Sequence, residues 1–273
     1  MHIPASRSPF GPLRDSVKAA VALNFPTPAP LGRRLSSTMA QESSTIKVGF
    51  IGGGKMAKAM AVALAGLLFL TVKPWNVPEV LASLALWREE SNALPFLVSA
   101  CAGVSLSRLE ETTLNSPVAR IMPNVLCAVG EGSTCYCGKH LTADNEAVLL
   151  RALRAFGRVH SVPESYFDAY CAISGSSPAF VCTFIEALID AGVKWWVSAF
   201  FGLPRQLATE AALQSVRGTA TLVQKKEIHP ALIRDEITTP GGTTIAGLMA
   251  MERRAFRAAV LVGRSRRCGA GHL

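Results

Sequence analysis

Hydrophobic residues follow different patterns in the two halves of the chain. In the first half, short runs of β-branched and other apolar residues end in small-residue or proline turns, as strands do; they occupy residues 45–51, 68–72, 95–99 and 118–122. After about residue 165, Ala-, Leu- and Ile-rich stretches show helical spacing. The pattern predicts an α/β N-terminal domain followed by an all-α domain.

Two helices are expected early in the second half. Proline is favoured in the first turn of a helix, so the coil before Pro178 opens the first, and the second runs from near Pro204 to about Gln224. The first helix carries an apolar stripe, which is typical of a core or of a subunit interface: Val181, Phe184, Ile185, Leu188 and Ile189.

Composition and charge narrow the class of protein. The chain has 273 residues, of which 49% are hydrophobic and 17% charged, enough to bury a sizeable core. The net charge of +9 is concentrated in residues 1–40 and 251–273, so we expect no nucleic-acid partner. The uncharged stretch 59–72 is shorter than the roughly 18 residues of a membrane span, and none is expected. Seven scattered cysteines lack zinc spacing, so no metal is expected and free thiols are favoured.

Residues 1–44 are interpreted as a leader. They are rich in Ser, Ala, Pro and Arg and poor in acids, and Val17, Ala20, Val21 and Leu23 fit an amphipathic turn. These features favour a mitochondrial or plastid transit peptide removed near Arg33. The alternative is a disordered tail on a cytoplasmic protein, with translation able to restart at Met39.

A glycine-rich turn follows the first predicted strand. Gly52, Gly54 and Ala57 have the spacing of the dinucleotide fingerprint, in which glycines let the backbone approach a pyrophosphate at a helix start. A purely structural turn is the alternative. Only residues 58–67 separate this turn from the next strand, too few for the second strand and second helix of a complete unit. The predicted Rossmann-like domain is therefore truncated.

A second glycine-rich loop lies in the helical half. Residues 238–244 read Thr-Thr-Pro-Gly-Gly-Thr-Thr. Successive glycine N–H groups form an anion-binding nest, and the flanking hydroxyls offer donors to a polar substrate. Helix N-terminal loops also favour these residue types, so a capping loop is the alternative.

Six motifs in order resemble the pyrroline-5-carboxylate reductase family: Gly-Phe-Ile-Gly-x-Gly-x-Met-Ala, Val-Lys-Pro, Ser-x-Cys-Ala-Gly-Val, Arg-x-Met-Pro-Asn, Ser-Gly-Ser-x-Pro-Ala and Thr-Pro-Gly-Gly-Thr-Thr-Ile-Ala-Gly-Leu. The resemblance covers roughly residues 46–61 and 67–258. It implies a Rossmann domain, a helical domain that forms a homodimer, often a ring of dimers, and reduction of 1-pyrroline-5-carboxylate to L-proline with NADPH or NADH.

The resemblance also implies a set of site residues. The Thr244 hydroxyl would bond the imine nitrogen, with a helix-capping hydroxyl as the alternative. Gly241, Gly242 and Thr243 would hold the substrate carboxylate, and Asn124 would face the active cleft. The cofactor residues would be Ile51, Gly52, Gly53, Gly54, Lys55, Met56, Val72, Lys73, Pro74, Ala100, Cys101 and Ala102. Lys73 has a solvated surface lysine as its alternative.

The chain departs from the family pattern at three places. About forty residues of the nucleotide domain are missing before Leu67, residues 195–201 are inserted, and the sequence after about Val260 is atypical. The expected domains are a leader over 1–44, a truncated nucleotide domain over 45–164, a helical domain over 165–260 and a tail over 261–273. Two hypotheses follow: a working reductase, or an inactive isoform or mis-assembled gene model whose helical half still forms oligomers.

Overall fold

The computed structural model describes residues 19–23, 46–51, 67–91, 96–194 and 202–262. The chain divides into two compact units, with the boundary between Gly175 and Ser176. The change of composition near residue 165 comes earlier than this boundary. Residues 164–175 fall in the first unit because their side chains and backbone bond to its sheet, through Glu164 and Ser174.

The first unit is built on a seven-stranded sheet whose order in space follows the order in sequence. The strands are β1 (Ala19–Leu23), β2 (Ile46–Ile51), β3 (Leu67–Leu70), β4 (Phe96–Ser99), β5 (Val118–Met122), β6 (Gly132–Lys139) and β7 (Gly157–Ser161). Strands β2 to β5 are parallel to one another, whereas β1 is antiparallel to β2 and β6 is antiparallel to β5. All four predicted strands are confirmed within two residues, and the parallel core is Rossmann-like.

Helices cover both faces of the sheet, which explains why β3 and β4 are apolar along their length. The helices among the described residues of this unit are α1 (Val77–Ser91), α2 (Leu106–Thr113), α3 (Ala143–Arg154) and α4 (Phe167–Tyr170). One core cluster joins α1 and α2 to Leu70 and Leu97. The other joins α3 to Phe69 and Val98. Alternate residues of one strand therefore enter opposite cores.

Strand β1 differs from the expectation for the leader. Residues 17–23 fit an amphipathic turn by sequence, but Ala19–Leu23 is extended and pairs antiparallel with β2, Ala19 opposite Phe50 and Leu23 opposite Ile46. In a complete Rossmann sheet the second strand pairs with this side of the first strand. Because the chain lacks room for that strand, the edge of β2 is open for β1, whose pairing satisfies its backbone groups.

The second unit contains five helices in its described residues: α5 (Ser177–Lys194), α6 (Arg205–Lys226), α7 (Pro230–Ile237), α8 (Thr243–Arg253) and α9 (Phe256–Val262). Both predicted helices are confirmed, as α5 and α6. Few residues are buried, among them Ala208, Ala212 and Ile233. The stripe on α5 is largely exposed in the single chain, with Phe184 at 38%. These helices have the surface of a subunit interface rather than of a closed core.

One helical stretch of the described residues, Glu164–Lys194, is long and apolar enough to span a membrane by length and composition alone. The expectation of no membrane span was based on the uncharged run at residues 59–72, which is a different segment. None of its most apolar window is buried in the single chain. An exposed apolar helix face of this kind is equally what a dimer needs.

Candidate active site

The carboxyl ends of β2 to β5 form one edge of the sheet, because these four neighbouring strands are parallel. Ligands bind at this edge in open parallel sheets. All seven described residues that were expected to bind the cofactor lie here: Ile51 ends β2, Val72, Lys73 and Pro74 follow β3, and Ala100, Cys101 and Ala102 follow β4. Gly52, Gly53, Gly54, Lys55 and Met56 lie outside the described residues.

Cys101 joins the ends of β3 and β4. Its Sγ lies 3.4 Å from the carbonyl oxygen of Val72 and 3.5 Å from that of Leu70, so the S–H donates toward the end of the neighbouring strand. Its backbone N–H donates to Ser99 Oγ at 3.3 Å. Burial raises the pKa of the Cys101 thiol and keeps it protonated as a donor. Cys101 therefore links the ends of β3 and β4 through its buried thiol.

Lys73 places a positive charge at the same edge. It is exposed, and its Nζ lies 5.8 Å from the ring centroid of Trp75, which is itself 66% exposed. A short 3₁₀ turn, Pro74–Asn76, carries Trp75 out of the strand end. An exposed lysine at this position adds positive charge to the edge, and its contact with the cofactor stays a prediction.

Asn124 follows β5 at the end of this edge, but its side chain points into the protein. It is 4% exposed. Its Nδ2 donates to the carbonyl oxygen of Ser174 at 3.0 Å, and its Oδ1 accepts from the backbone N–H of Ser133 at 3.2 Å. Both polar atoms are thus engaged by backbone groups, which gives Asn124 a supporting position. Its contact with substrate stays a prediction.

The second glycine-rich loop lies in the second unit and leads into α8. Gly242 is the N-cap, and Gly241 has a φ of +68°, in the left-handed region that favours glycine. A Cβ on Gly242 would lie 2.4 Å from Thr239 Oγ1. The Gly242 N–H donates to the carbonyl oxygen of Thr239 at 3.1 Å, so in this conformation it closes the turn instead of facing a ligand.

The start of α8 retains the features of an anion site. Helix geometry leaves the N–H groups of Thr243 and Thr244 without acceptors inside the helix, and the helix dipole favours negative charge there. Gly242 takes the N-cap position, so the half-buried Thr244 is not the capping residue, and its contact with substrate stays a prediction. A carboxylate bound at this turn would place the rest of a small substrate near Thr244.

Sequence reasoning gave no role to two polar residues of the first unit. Arg120, inside the Arg-x-Met-Pro-Asn motif, is 8% exposed and its Nη1 donates to Glu164 Oε1 at 2.7 Å. Tyr170 bonds through its hydroxyl to Ser133 Oγ at 2.5 Å. An arginine in a buried parallel strand is a signal in itself, because such a charge requires a partner. Nothing comparable in the sequence marks Tyr170.

Comparison with known proteins identifies similar chains. A family model for pyrroline-5-carboxylate reductase dimerisation matches residues 164–263. A relative named pyrroline-5-carboxylate reductase, from Synechocystis sp., is 41% identical over 202 residues, which are 74% of this chain and 72% of the relative. Pyrroline-5-carboxylate reductase 3 of Macaca fascicularis is 36% identical, covering 80% of this chain and 92% of the relative. A solved pyrroline carboxylate reductase of Plasmodium falciparum with NADP bound matches with a TM-score of 0.70 and 29% identity, covering 80% of this chain and 94% of that one.

The match to the Macaca fascicularis relative also bears on the length of the nucleotide domain. It extends over 262 aligned residues, yet includes only 80% of the 273 residues of this chain. An internal gap on the side of this chain makes an alignment longer than the part of the chain it contains. This agrees with the truncated domain expected from the sequence. The relatives are named as reductases, so the inactive alternative is not favoured.

Proposed function

Because this chain belongs to the pyrroline-5-carboxylate reductase family, we propose that it reduces 1-pyrroline-5-carboxylate to L-proline with NADPH or NADH, the last step of proline biosynthesis. The observation that carries the proposal is the Pro-Gly-Gly-Thr-Thr turn at the start of α8. It combines an anion site with the Thr244 hydroxyl. The substrate presents the matching pair of groups, a carboxylate and a ring nitrogen.

The residues of this turn divide the work of binding. The N–H groups of Gly241 and Thr243 bind the substrate carboxylate, while Gly242 holds the turn closed through Thr239. The Thr244 hydroxyl bonds to the imine nitrogen and keeps it oriented while the adjacent carbon accepts a hydride. One C–H bond forms, the C=N bond becomes a single bond, and the nitrogen retains a proton. Two points of attachment restrict the orientation of a ring this small.

The carboxyl edge of β2 to β5 fits a nicotinamide dinucleotide. Small residues at positions 100 and 102 leave room for close approach, Cys101 fixes the end of β3, and Lys73 supplies positive charge for phosphate. The dinucleotide, when bound, supplies the hydride. The chain's own residues hold it along the edge.

The chain oligomerises through its dimerisation domain, and we propose a homodimer that assembles further into a ring of dimers. The exposed faces of α5 and α6 support this, because a single chain leaves apolar residues such as Phe184 and Leu188 in water. Light scattering coupled to size exclusion gives the number of subunits. A monomer at micromolar concentration would refute the dimer, and a lone dimer would refute the ring.

We also propose that residues 1–44 direct the chain to a mitochondrion or plastid. The Arg- and Ser-bearing, acid-poor composition supports this. Import followed by cleavage near Arg33 yields a mature chain that lacks residues 1 to about 33. Intact mass of the protein isolated from its cells is the measurement, and a full-length mass in the cytoplasm would overturn the proposal.

The deciding experiment uses the full chain, so that the result does not depend on where the leader is removed. We expect saturable NADPH or NADH binding by fluorescence titration and oxidation of the cofactor when pyrroline-5-carboxylate is added. Thr244→Ala should lower kcat/KM by about a hundredfold, while Thr244→Ser, which keeps the hydroxyl, should lose less than about tenfold. A folded dimer that binds neither cofactor would refute the function, and equal activity of Thr244→Ala and wild type would refute the role of Thr244.

A further inference from the structure

Four polar side chains form a continuous network at the end of β5. The Asn124 amide bonds to the backbone of Ser133 and Ser174, as described above. Ser133 Oγ lies 2.5 Å from the Tyr170 hydroxyl oxygen. Ser174 Oγ then donates to the carbonyl oxygen of Tyr170 at 3.0 Å. The network therefore closes on itself, joining the end of β5, the start of β6 and the end of α4.

The segment held by this network has an unusual backbone. Residues Cys171–Gly175 form a π-helical turn between α4 and α5, and its last two residues begin the Ser-Gly-Ser-x-Pro-Ala motif. Such turns have wider hydrogen-bonded rings than an α-helix, are rare, and occur frequently at functional sites. A Cβ on Gly175 would lie 3.0 Å from Cys171 Sγ, so the turn is also closely packed. External hydrogen bonds are a means of keeping it in one conformation.

The Tyr170 hydroxyl and the Asn124 amide are both uncharged at physiological pH, so their hydrogen bonds do not change with pH there. Burial raises the pKa of the Tyr170 hydroxyl, so the group remains neutral and retains its proton at physiological pH. Asn124 carries no charge at any pH and is almost completely buried. Buried hydrogen-bonded groups of this kind are strong in a low-dielectric interior and costly to leave unpaired.

We propose that Asn124 is a positioning residue that acts through the π-helical turn Cys171–Gly175. The proposal rests on the function assigned above. Asn124 stands at the end of β5, three strands along the edge from β2, where the pyrophosphate turn begins. Loss of its amide leaves the end of β2 and Lys73 unchanged but frees the turn Cys171–Gly175 at the β5 end of the edge. The expected consequence is a slower reaction with little change in cofactor binding.

Four variants of the full chain separate this role from general stability. Asn124→Ala removes both bonds, whereas Asn124→Asp keeps the acceptor for Ser133 and loses the donor to Ser174. Both should lower kcat by about tenfold to a hundredfold, with KM for NADPH within about twofold of wild type. Tyr170→Phe removes only the outer bond and should have a smaller effect. Asn145→Ala, in α3, is the matched asparagine control and should behave as wild type.

Hydrogen exchange followed by mass spectrometry gives a readout that does not need turnover. Asn124→Ala should speed exchange at residues 172–179 and leave the amides of β4 unchanged. Unchanged exchange at residues 172–179 would overturn the proposal. A kcat within about twofold of wild type would also overturn it, as would a rise in KM for NADPH as large as the fall in kcat. A folded wild-type chain without turnover refutes the proposed function, and the exchange result then decides the positioning role alone. If Asn124→Ala fails to fold, the same comparisons are made with Tyr170→Phe.

Discussion

Replacing Glu164 with alanine removes an acceptor that two donors share. Arg120 Nη1 and the backbone N–H of Leu106 each donate to Glu164 Oε1 at 2.7 Å. The Arg120 guanidinium lies over Phe167, with its Cζ 4.6 Å from the ring centroid. Among the described residues its buried Nε has no hydrogen-bond partner. The alanine variant therefore leaves a buried cation with weaker compensation than before.

The size of the effect follows from burial. Removing one partner of a buried ion pair costs about 3–5 kcal/mol. The Glu164 side chain is 33% exposed and that of Arg120 is 10% exposed, so water reaches one end of the pair and compensates part of the loss. We expect the free energy of unfolding to fall by about 2–3 kcal/mol. At about 2–4 °C per kcal/mol for a unit of this size, the thermal midpoint falls by about 4–12 °C.

Thermal unfolding at fixed protein concentration, followed by circular dichroism, measures the midpoint. Arg120→Met is the matched control, because methionine keeps the packing over Phe167 and leaves the Glu164 carboxylate partly in water and bonded to Leu106. Its loss should be less than about half that of Glu164→Ala. Equal midpoints for wild type and Glu164→Ala, or a larger loss in Arg120→Met, would refute the reasoning.

Three further predictions concern separate parts of the molecule. Burial raises the pKa of Cys135 to about 12, so its thiol should resist iodoacetamide at pH 9 in the native protein and react only after unfolding in urea; fast native labelling, seen by mass spectrometry, would contradict this. Phe184→Asp should place a charge on the exposed face of α5 and shift the protein to monomer in light scattering, and an unchanged mass would count against the interface. Gly242→Ala should force its Cβ against Thr239 and lower kcat/KM for pyrroline-5-carboxylate by about tenfold or more, with the KM for NADPH unchanged; wild-type kinetics would show that the turn adapts.

The parallel core of the sheet was predictable because each of its strands is a short apolar run. β6 was missed for the opposite reason: Thr134, Cys135 and Tyr136 are buried, but Gly132–Lys139 contains no aliphatic residue to mark it. The helix that follows had a readable signal, since Thr142 caps α3 by accepting from the N–H of Asn145. Strand β1 depends on a vacant sheet edge, which local sequence does not encode.

The candidate site was predictable to a similar degree. Strand ends place Lys73 and Cys101 where the motifs indicated, because parallel strands end at one edge. The direction of the Asn124 side chain was not predictable, since it depends on a carbonyl group fifty residues away. The closed turn at Gly242 likewise depends on the particular conformation of Thr239.

Because β1 lies in the proposed leader and pairs with β2, it matters whether the chain folds before or after the leader is removed. Ala19–Leu23 leaves the ribosome before its partner, Ile46–Ile51, and the residues near Arg33 lie in the connection between the two. Residues Ala19–Leu23 can therefore either pair with β2 as part of the chain or be removed with the leader. A chain that folds before any processing keeps its sheet edge covered, whereas a chain processed first exposes the backbone of β2 to a neighbour. If residues 1 to about 33 are removed as proposed above, the two histories would yield two proteins that differ in their tendency to associate, from a single message.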